Sequence, residues 1–182
     1  MTAGSSILEP QASVRLHVGQ GEHLITGDPQ VMLTTILGSC VAMCLRDPVA
    51  RIGGMNHFLL PSGRTDGADE GRRYGAYAME VLINGVLSAG GRRERLEAKL
   101  FGGGRMFDGL ADVGTGNATF AEKFLADEGI PIIASSLRGH GARRVQFWPH
   151  SGRALQKSVS DRPIERPVPP PVVADSGELE LF

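Results

Sequence analysis

The spacing of hydrophobic and polar residues separates a strand-rich middle from two polar ends. Val14, Leu16 and Val18 alternate with polar positions and predict a strand, and His23 to Thr26 predicts its partner across the Gly19-Gln20-Gly21 turn. Met32 to Leu37 predicts a third strand, which breaks at Gly38-Ser39 and resumes as Val41 to Leu45 before Arg46-Asp47-Pro48 stops it. Arg51 to Leu60 predicts the next strand, closed by Pro61-Ser62-Gly63, and the polar, Gly-rich residues 62–72 predict a mobile loop. Tyr74, Ala78, Val81, Leu82, Gly85 and Val86 then fall at helical spacing, with Gly90-Gly91 as the stop. Leu96, Ala98 and Leu100 alternate as a strand running into Gly102-Gly103-Gly104. A second helix is predicted from Asn117, a good N-cap residue, through Phe120, Phe124 and Leu125 to Gly129. Pro131 to Ser135 predicts a strand, and Arg143 to Trp148 with Gly152 to Gln156 predicts a hairpin around Pro149-His150-Ser151. Many strands and two helices point to an α+β fold, a mostly antiparallel sandwich with the helices packed on it.

The ends have a different character. Residues 1–12 mix Gly, Ser, Pro and Gln without periodicity and predict a disordered N-terminus. From 159 to 182 the chain predicts a Pro-rich linker (Pro163, Pro167, Pro169, Pro170, Pro171) and an acidic-apolar tail, Glu178 to Phe182. One domain over residues 13–158 accounts for the rest.

Composition narrows the function. With 41% hydrophobic residues, the 182-residue chain can bury a sizeable core, and a net charge of −1 argues against nucleic acid as a partner. No apolar run approaches the roughly 20 residues needed to span a bilayer. The N-terminus lacks the basic and apolar segments of a signal peptide, so a cytoplasmic location is expected, with both cysteines reduced.

The candidate chemistry lies at Cys40. It follows Gly38 and Ser39, and His57 stands seventeen residues further on. A thiol attacks a carbonyl as thiolate, so it needs a base nearby. If the Asp47-Pro48 turn joins two antiparallel strands and centres near residues 48–49, Cys40 and His57 lie directly opposite each other. Backbone N–H groups around Gly38 and Ser39 would then form an oxyanion hole. By chemistry alone Cys40 reads equally as a packed core residue, whereas Cys44, inside an alternating strand, reads as packing. Four residues apart on a strand, the two thiols are about 13 Å apart and cannot form a disulfide. The histidines do not complete a zinc-ligand spacing, and no cofactor is expected. Ser39 lacks the Gly-x-Ser-x-Gly setting of a serine nucleophile, because position 41 is Val. No acid lies near His57 to orient the ring. Of the hydroxyls at Thr34 and Thr35, parity with Cys40 selects Thr34. The glycine runs at 102–104 and 114–117 do not complete a nucleotide-binding G-x-G-x-x-G.

Thr34 through Asp47 (TTILGSCVAMCLRD) and Ile52 through Pro61 (IGGMNHFLLP) closely resemble the CheD family, the chemoreceptor glutamine deamidases of bacterial and archaeal chemotaxis. Tyr74-Gly75, Lys99 to Met106 (KLFGGGRM) and Gly116-Asn117 fit as well, so the resemblance covers roughly residues 14–157. It implies an α/β sandwich with Cys40, His57 and Thr34 as the triad. It also implies hydrolysis of glutamine side chains on methyl-accepting chemotaxis receptors, with glutamyl methyl esters as further substrates of some members. A CheC-type phosphatase is implied as a protein partner. The alternative function is a non-catalytic adaptor that docks on receptors or on such a phosphatase, with the acidic-apolar tail as its motif.

Overall fold

A computed structural model describes residues 14–60, 68–106 and 112–159. The expected N-terminal segment 1–12, the linker and tail beyond residue 159, and the 62–67 part of the expected loop lie outside them. Among the described residues nine strands make two sheets: β1 (Val14–His17), β2 (His23–Thr26), β3 (Val31–Leu37), β4 (Val41–Asp47), β5 (Ile52–Asn56), β6 (Glu97–Gly102), β7 (Ile132–Leu137), β8 (Ala142–Phe147) and β9 (Ala154–Val159). One sheet has the order β1-β3-β8-β9 and the other β2-β5-β4-β6-β7. Five of the seven pairings are antiparallel and two, β1 with β3 and β6 with β7, are parallel. The two helices, α1 (Ala68–Ser88) and α2 (Val113–Asp127), pack on the outer face of the five-stranded sheet. The α+β sandwich expected from the sequence is therefore the fold. No described helix is long and apolar enough to cross a membrane.

β4 organises the core because it is buried on both faces. Val41, Met43 and Leu45 face the helices with Met79, Leu82, Val86 and Leu125. Ala42 and Cys44 face the other sheet with Leu33, Leu37, Met55, Phe101, Val145 and Phe147. A central strand covered on both sides must be apolar nearly throughout, which explains the run from Val41 to Leu45. Cys44 is core packing, as its sequence setting predicts, and is 1% exposed.

Three expectations are corrected. The strand at Val14 does not pair with His23–Thr26: β1 runs parallel to β3 in one sheet, while β2 pairs with β5 in the other. The Gly19-Gln20-Gly21 turn is thus a crossing between sheets, and periodicity within each strand carries no information about which sheet it joins. Residues 68–72 are the first turn of α1, not loop. Its buried residues Met79, Leu82, Ile83 and Val86 repeat at three and four, the stripe an amphipathic helix presents to a sheet. Finally, α2 begins at Val113, with Asp112 as its cap: the Asp112 carboxylate accepts from Thr115 N at 3.0 Å and from Thr115 Oγ1 at 2.8 Å. Asn117 lies inside the helix, buried.

The β4–β5 turn is held by Asp47, whose side chain is fully buried. One carboxylate oxygen accepts from Val49 N (2.8 Å) and Ala50 N (2.9 Å). The other accepts from Arg92 N (2.8 Å), Arg95 Nε (2.9 Å) and Arg95 Nη2 (2.7 Å). Burial alone would raise the carboxyl pKa, but bonds from Ala50, Arg95, Arg92 and Val49 outweigh it and hold the group far below the usual carboxylate range. A depressed folded-state pKa gives stability that is present above the ordinary 3.8 and lost as pH falls through the folded-state value. Asp47→Ala should therefore destabilise the domain by about 3 kcal/mol near neutral pH, measured by denaturant unfolding. The gap between the two proteins should narrow as pH drops below 3.8; a gap unchanged in acid would contradict this origin.

Candidate active site

Between Leu37 and Val41 the chain leaves the four-stranded sheet and enters the five-stranded one, and all three linking carbonyls are tied down. Gly38 O accepts from Gly104 N (2.8 Å), Ser39 O from Asn117 Nδ2 (2.8 Å) and Cys40 O from Gly103 N (2.7 Å). The approach of the Gly102–Gly104 segment is too close for side chains. A Cβ on Gly102, whose φ is +106°, would lie 2.1 Å from Cys40 O. Asn117 also accepts from Leu60 N at 3.0 Å, so α2 fastens the link to the segment after β5. With the carbonyls turned away, the Ser39 N–H has no acceptor among the described residues, and the Cys40 N–H meets only its own sulfur.

His57 follows β5 and is held by backbone bonds on its β2 side: Gly21 N donates to His57 O (2.7 Å) and His57 N to Glu22 O (3.1 Å). The next residue, Phe58, exchanges both bonds with Val41, at 3.0 and 2.9 Å. The β4–β5 ladder pairs Asp47 with Ile52 and Cys44 with Met55. Cys40 and His57 are accordingly not directly opposite: each sits one residue before the Val41–Phe58 bridge, which makes them diagonal neighbours. The correction comes from the turn, which spans residues 48–51 and includes Arg51 at a φ of 55°, so it centres later than expected. Parity survives a shift of two. Val41 and Phe58 face the helices, while Cys40 packs towards the space between the sheets and His57 reaches into it. Diagonal backbones lie roughly 7–8 Å apart, a gap long side chains reach across.

Thr34 does not meet His57. Its hydroxyl donates to Val145 O (2.9 Å) on β8. The residue beside the imidazole is Thr35, with Oγ1 2.9 Å from Nδ1. The parity argument fails because Gly38–Cys40 carries the chain from one sheet to the other: odd residues of β3 (Leu33, Leu37) face the inter-sheet core, but even residues of β4 (Ala42, Cys44) do. Thr34 still contributes its backbone, because its carbonyl accepts from Val18 N at 2.9 Å and so sets the position of Val18.

The hydrogen bonds around Thr35 determine the tautomer of His57. Val18 O can only accept and faces both Thr35 Oγ1 (2.8 Å) and Nδ1, so the arrangement without opposed lone pairs has the hydroxyl donating to Val18 O and accepting from the ring. Nδ1, which also lies 3.3 Å from Val18 O, therefore carries the hydrogen. Nε2 is left with its lone pair, buried and without a hydrogen-bond partner among the described residues. Burial lowers the His57 pKa below its ordinary 6.5; the Val18 carbonyl works against this and the charge of His17 with it. Burial also raises the half-buried Cys40 thiol above its ordinary 9.0, opposed by its own backbone N–H. At rest the site holds a neutral thiol and a neutral imidazole with a free lone pair, the starting state for general-base activation of a nucleophile. The thiol donates to Gln20 Oε1 at 3.6 Å.

Thr35, Asn117 and Gln20 touch His57, Ser39 and Cys40 beyond what the sequence pattern predicts. Thr35 was visible as the second hydroxyl of the pair, but only the switch of sheets decides between them. Residue type alone makes Asn117 a helix cap and Gln20 part of a turn.

The family model for CheD chemotactic sensory transduction matches residues 59–158. That stretch begins just after His57, but the relatives span the whole site. The chain is 58% identical over 182 residues to the probable chemoreceptor glutamine deamidase CheD of Caulobacter vibrioides strain NA1000, covering 96% of each chain. It is 60% identical over 177 residues to the protein of that name from Caulobacter sp. strain K31, covering 93% of this chain and 94% of that one. For the Agrobacterium fabrum protein of that name the identity is 54% over 179 residues, with 94% and 98% covered. Among solved structures, the Bacillus licheniformis hypothetical protein YfiH aligns with a TM-score of 0.40 and 15% identity, over 69% of this chain and 60% of that one. That likeness is too loose to bear on function. The matched family model and these near-full-length relatives establish that the chain belongs to the CheD family.

Proposed function

We propose that this protein hydrolyses glutamine side chains of chemoreceptors to glutamate, with Cys40 as nucleophile and His57 as base. The observation that carries the reading is Nε2 of His57, buried and without a hydrogen-bond partner among the described residues, while Nδ1 faces Thr35 and Val18 O. The names of the relatives supply the substrate.

His57 Nε2 takes the Cys40 proton, and the thiolate sulfur bonds to the glutamine Cδ as the carbonyl π-pair moves onto oxygen. The Ser39 and Cys40 N–H groups stabilise that oxyanion; a single donor of this kind is worth about 2.7–4 kcal/mol. The tetrahedral adduct collapses, the C–N bond breaks, and His57 returns its proton to the departing ammonia. A Cys40 thioester remains. His57 then takes a proton from water as the water adds to the thioester, and returns it to the sulfur as the C–S bond breaks, giving glutamate and the free thiol. Nothing in these steps distinguishes an amide from an ester carbonyl, so glutamyl methyl esters are included, with methanol as the leaving group. A CheC-type phosphatase belongs to the proposal as a protein partner on the family resemblance alone. Thr35 acts through His57 as a positioning residue, and among the described residues no carboxylate bonds to the His57 ring.

Cys40→Ala should abolish conversion of receptor glutamine to glutamate, read as the residue mass change in receptor peptides. Undiminished conversion would overturn the proposal.

Thr35→Val should lower kcat between about 10- and 100-fold, because the ring loses its orienting acceptor. Thr34→Val should stay within about twofold of the parent on the same scale. The reverse ranking would restore Thr34 as the orienter.

The pH dependence of kcat/KM should show an acid limb from protonation of His57. Because burial depresses that pKa, the limb should have its midpoint below 6.5, with activity rising as pH increases through it. A midpoint above 6.5 would mean that the base is not the buried neutral imidazole.

A further inference from the structure

Gln20 is not used by the mechanism above, yet its carboxamide is the group to which the Cys40 thiol donates, with Sγ to Oε1 at 3.6 Å. We propose that Gln20 is a further catalytic residue, whose side-chain NH2 donates to the thiolate and then to the oxyanion formed on the attacked carbon. This rests on the reading that Cys40 is the nucleophile.

The backbone of Gln20 is indexed to the base. Gly19 N donates to Glu22 Oε2 (2.8 Å) and Glu22 N to Gly19 O (3.0 Å), which closes the turn on itself. Gly21 N and Glu22 O then pair with the backbone of His57, at 2.7 and 3.1 Å. The turn that carries Gln20 and the segment that carries the imidazole therefore keep one relative position. The side chain itself is exposed, so its terminal torsion is free to turn. That torsion is broad and roughly two-fold, and half a rotation exchanges the carbonyl and NH2 ends at the same point in space.

The two ends suit the two states of the sulfur. While Cys40 is protonated, the carbonyl end accepts from S–H, which is the contact observed. Once His57 removes that proton, a carbonyl oxygen against S⁻ is repulsive and the NH2 end is attractive. The oxyanion forms one bond away from the carbon that the sulfur attacks. A donor in van der Waals reach of the sulfur can therefore come within the roughly 2.7–3.1 Å over which oxyanion donors act. Together with the Ser39 and Cys40 N–H groups it would complete a three-donor hole. No atom changes owner through Gln20: it gives hydrogen bonds, not a proton.

The test compares Gln20→Ala, Gln20→Glu and Cys40→Ala on receptor glutamine conversion, with the pH dependence of Cys40 alkylation by iodoacetamide as a second readout. Gln20→Ala should lose on the order of 10²-fold in kcat with KM little changed. Gln20→Glu should lose at least as much, since a carboxylate cannot donate and its charge opposes the thiolate. Its alkylation midpoint should move to higher pH. Parental kcat in both Gln20 variants, with Cys40→Ala inactive, would overturn the role of Gln20 and leave the function standing. Conversion of Gln20 itself to glutamate in the active enzyme would also overturn it, because the residue would then be a substrate. Activity retained in Cys40→Ala would bring down both readings.

Discussion

One hydrogen bond across the sandwich sets the chemistry available here. His57 belongs to the five-stranded sheet and Thr35 to the four-stranded one, and they meet at 2.9 Å in the space between. Because Val18 O can only accept and faces both the Thr35 hydroxyl and Nδ1, the ring offers Nδ1–H on that side. The nitrogen on the other side of the ring is then the basic one. Val18 is held in turn by Thr34, whose carbonyl takes its N–H. The packing of two sheets thereby chooses a tautomer, which no residue of the site could do from its own strand.

The placement of Cys40 depends on the same pair of sheets. The chain changes sheet at Gly38–Cys40, and a segment that does so cannot satisfy its carbonyls in either ladder. Gly103, Gly104 and Asn117 satisfy them instead. Only glycine at 102 allows that approach, since its φ and the 2.1 Å separation from Cys40 O both exclude a Cβ. The outcome is an N–H at Ser39 without an acceptor among the described residues, beside a half-buried thiol. The catalytic reading and the fold thus have a common cause: the link is open on its donor side because every acceptor has been drawn to the other.

How much of this was legible in the sequence follows from the range of each interaction. Strand periodicity is local, so β3, β4, β6 and the β8–β9 hairpin are all readable from residue patterns. Sheet membership is not local, and the pairing of β1 with β3 rather than β2 could not be read from alternation. Cys40 and His57 were identifiable because the β4–β5 hairpin joins them through a short turn, and a register error of two kept them on one face. Parity with Cys40 selects Thr34 over Thr35 only within one sheet, and it inverts where the chain changes sheet. Asn117 looked like a cap because Asn favours that position, but Asp112 caps α2 and leaves Asn117 free to bridge Ser39 and Leu60.

The most direct test is the protonation state of His57 in the resting protein, read from its ring 15N shifts by NMR above pH 6.5. The predicted result is a protonated Nδ1 and an unprotonated, pyridine-like Nε2, with the pattern lost in Thr35→Val. A proton on Nε2 in the parent protein would contradict the assignment of His57 as the base for Cys40.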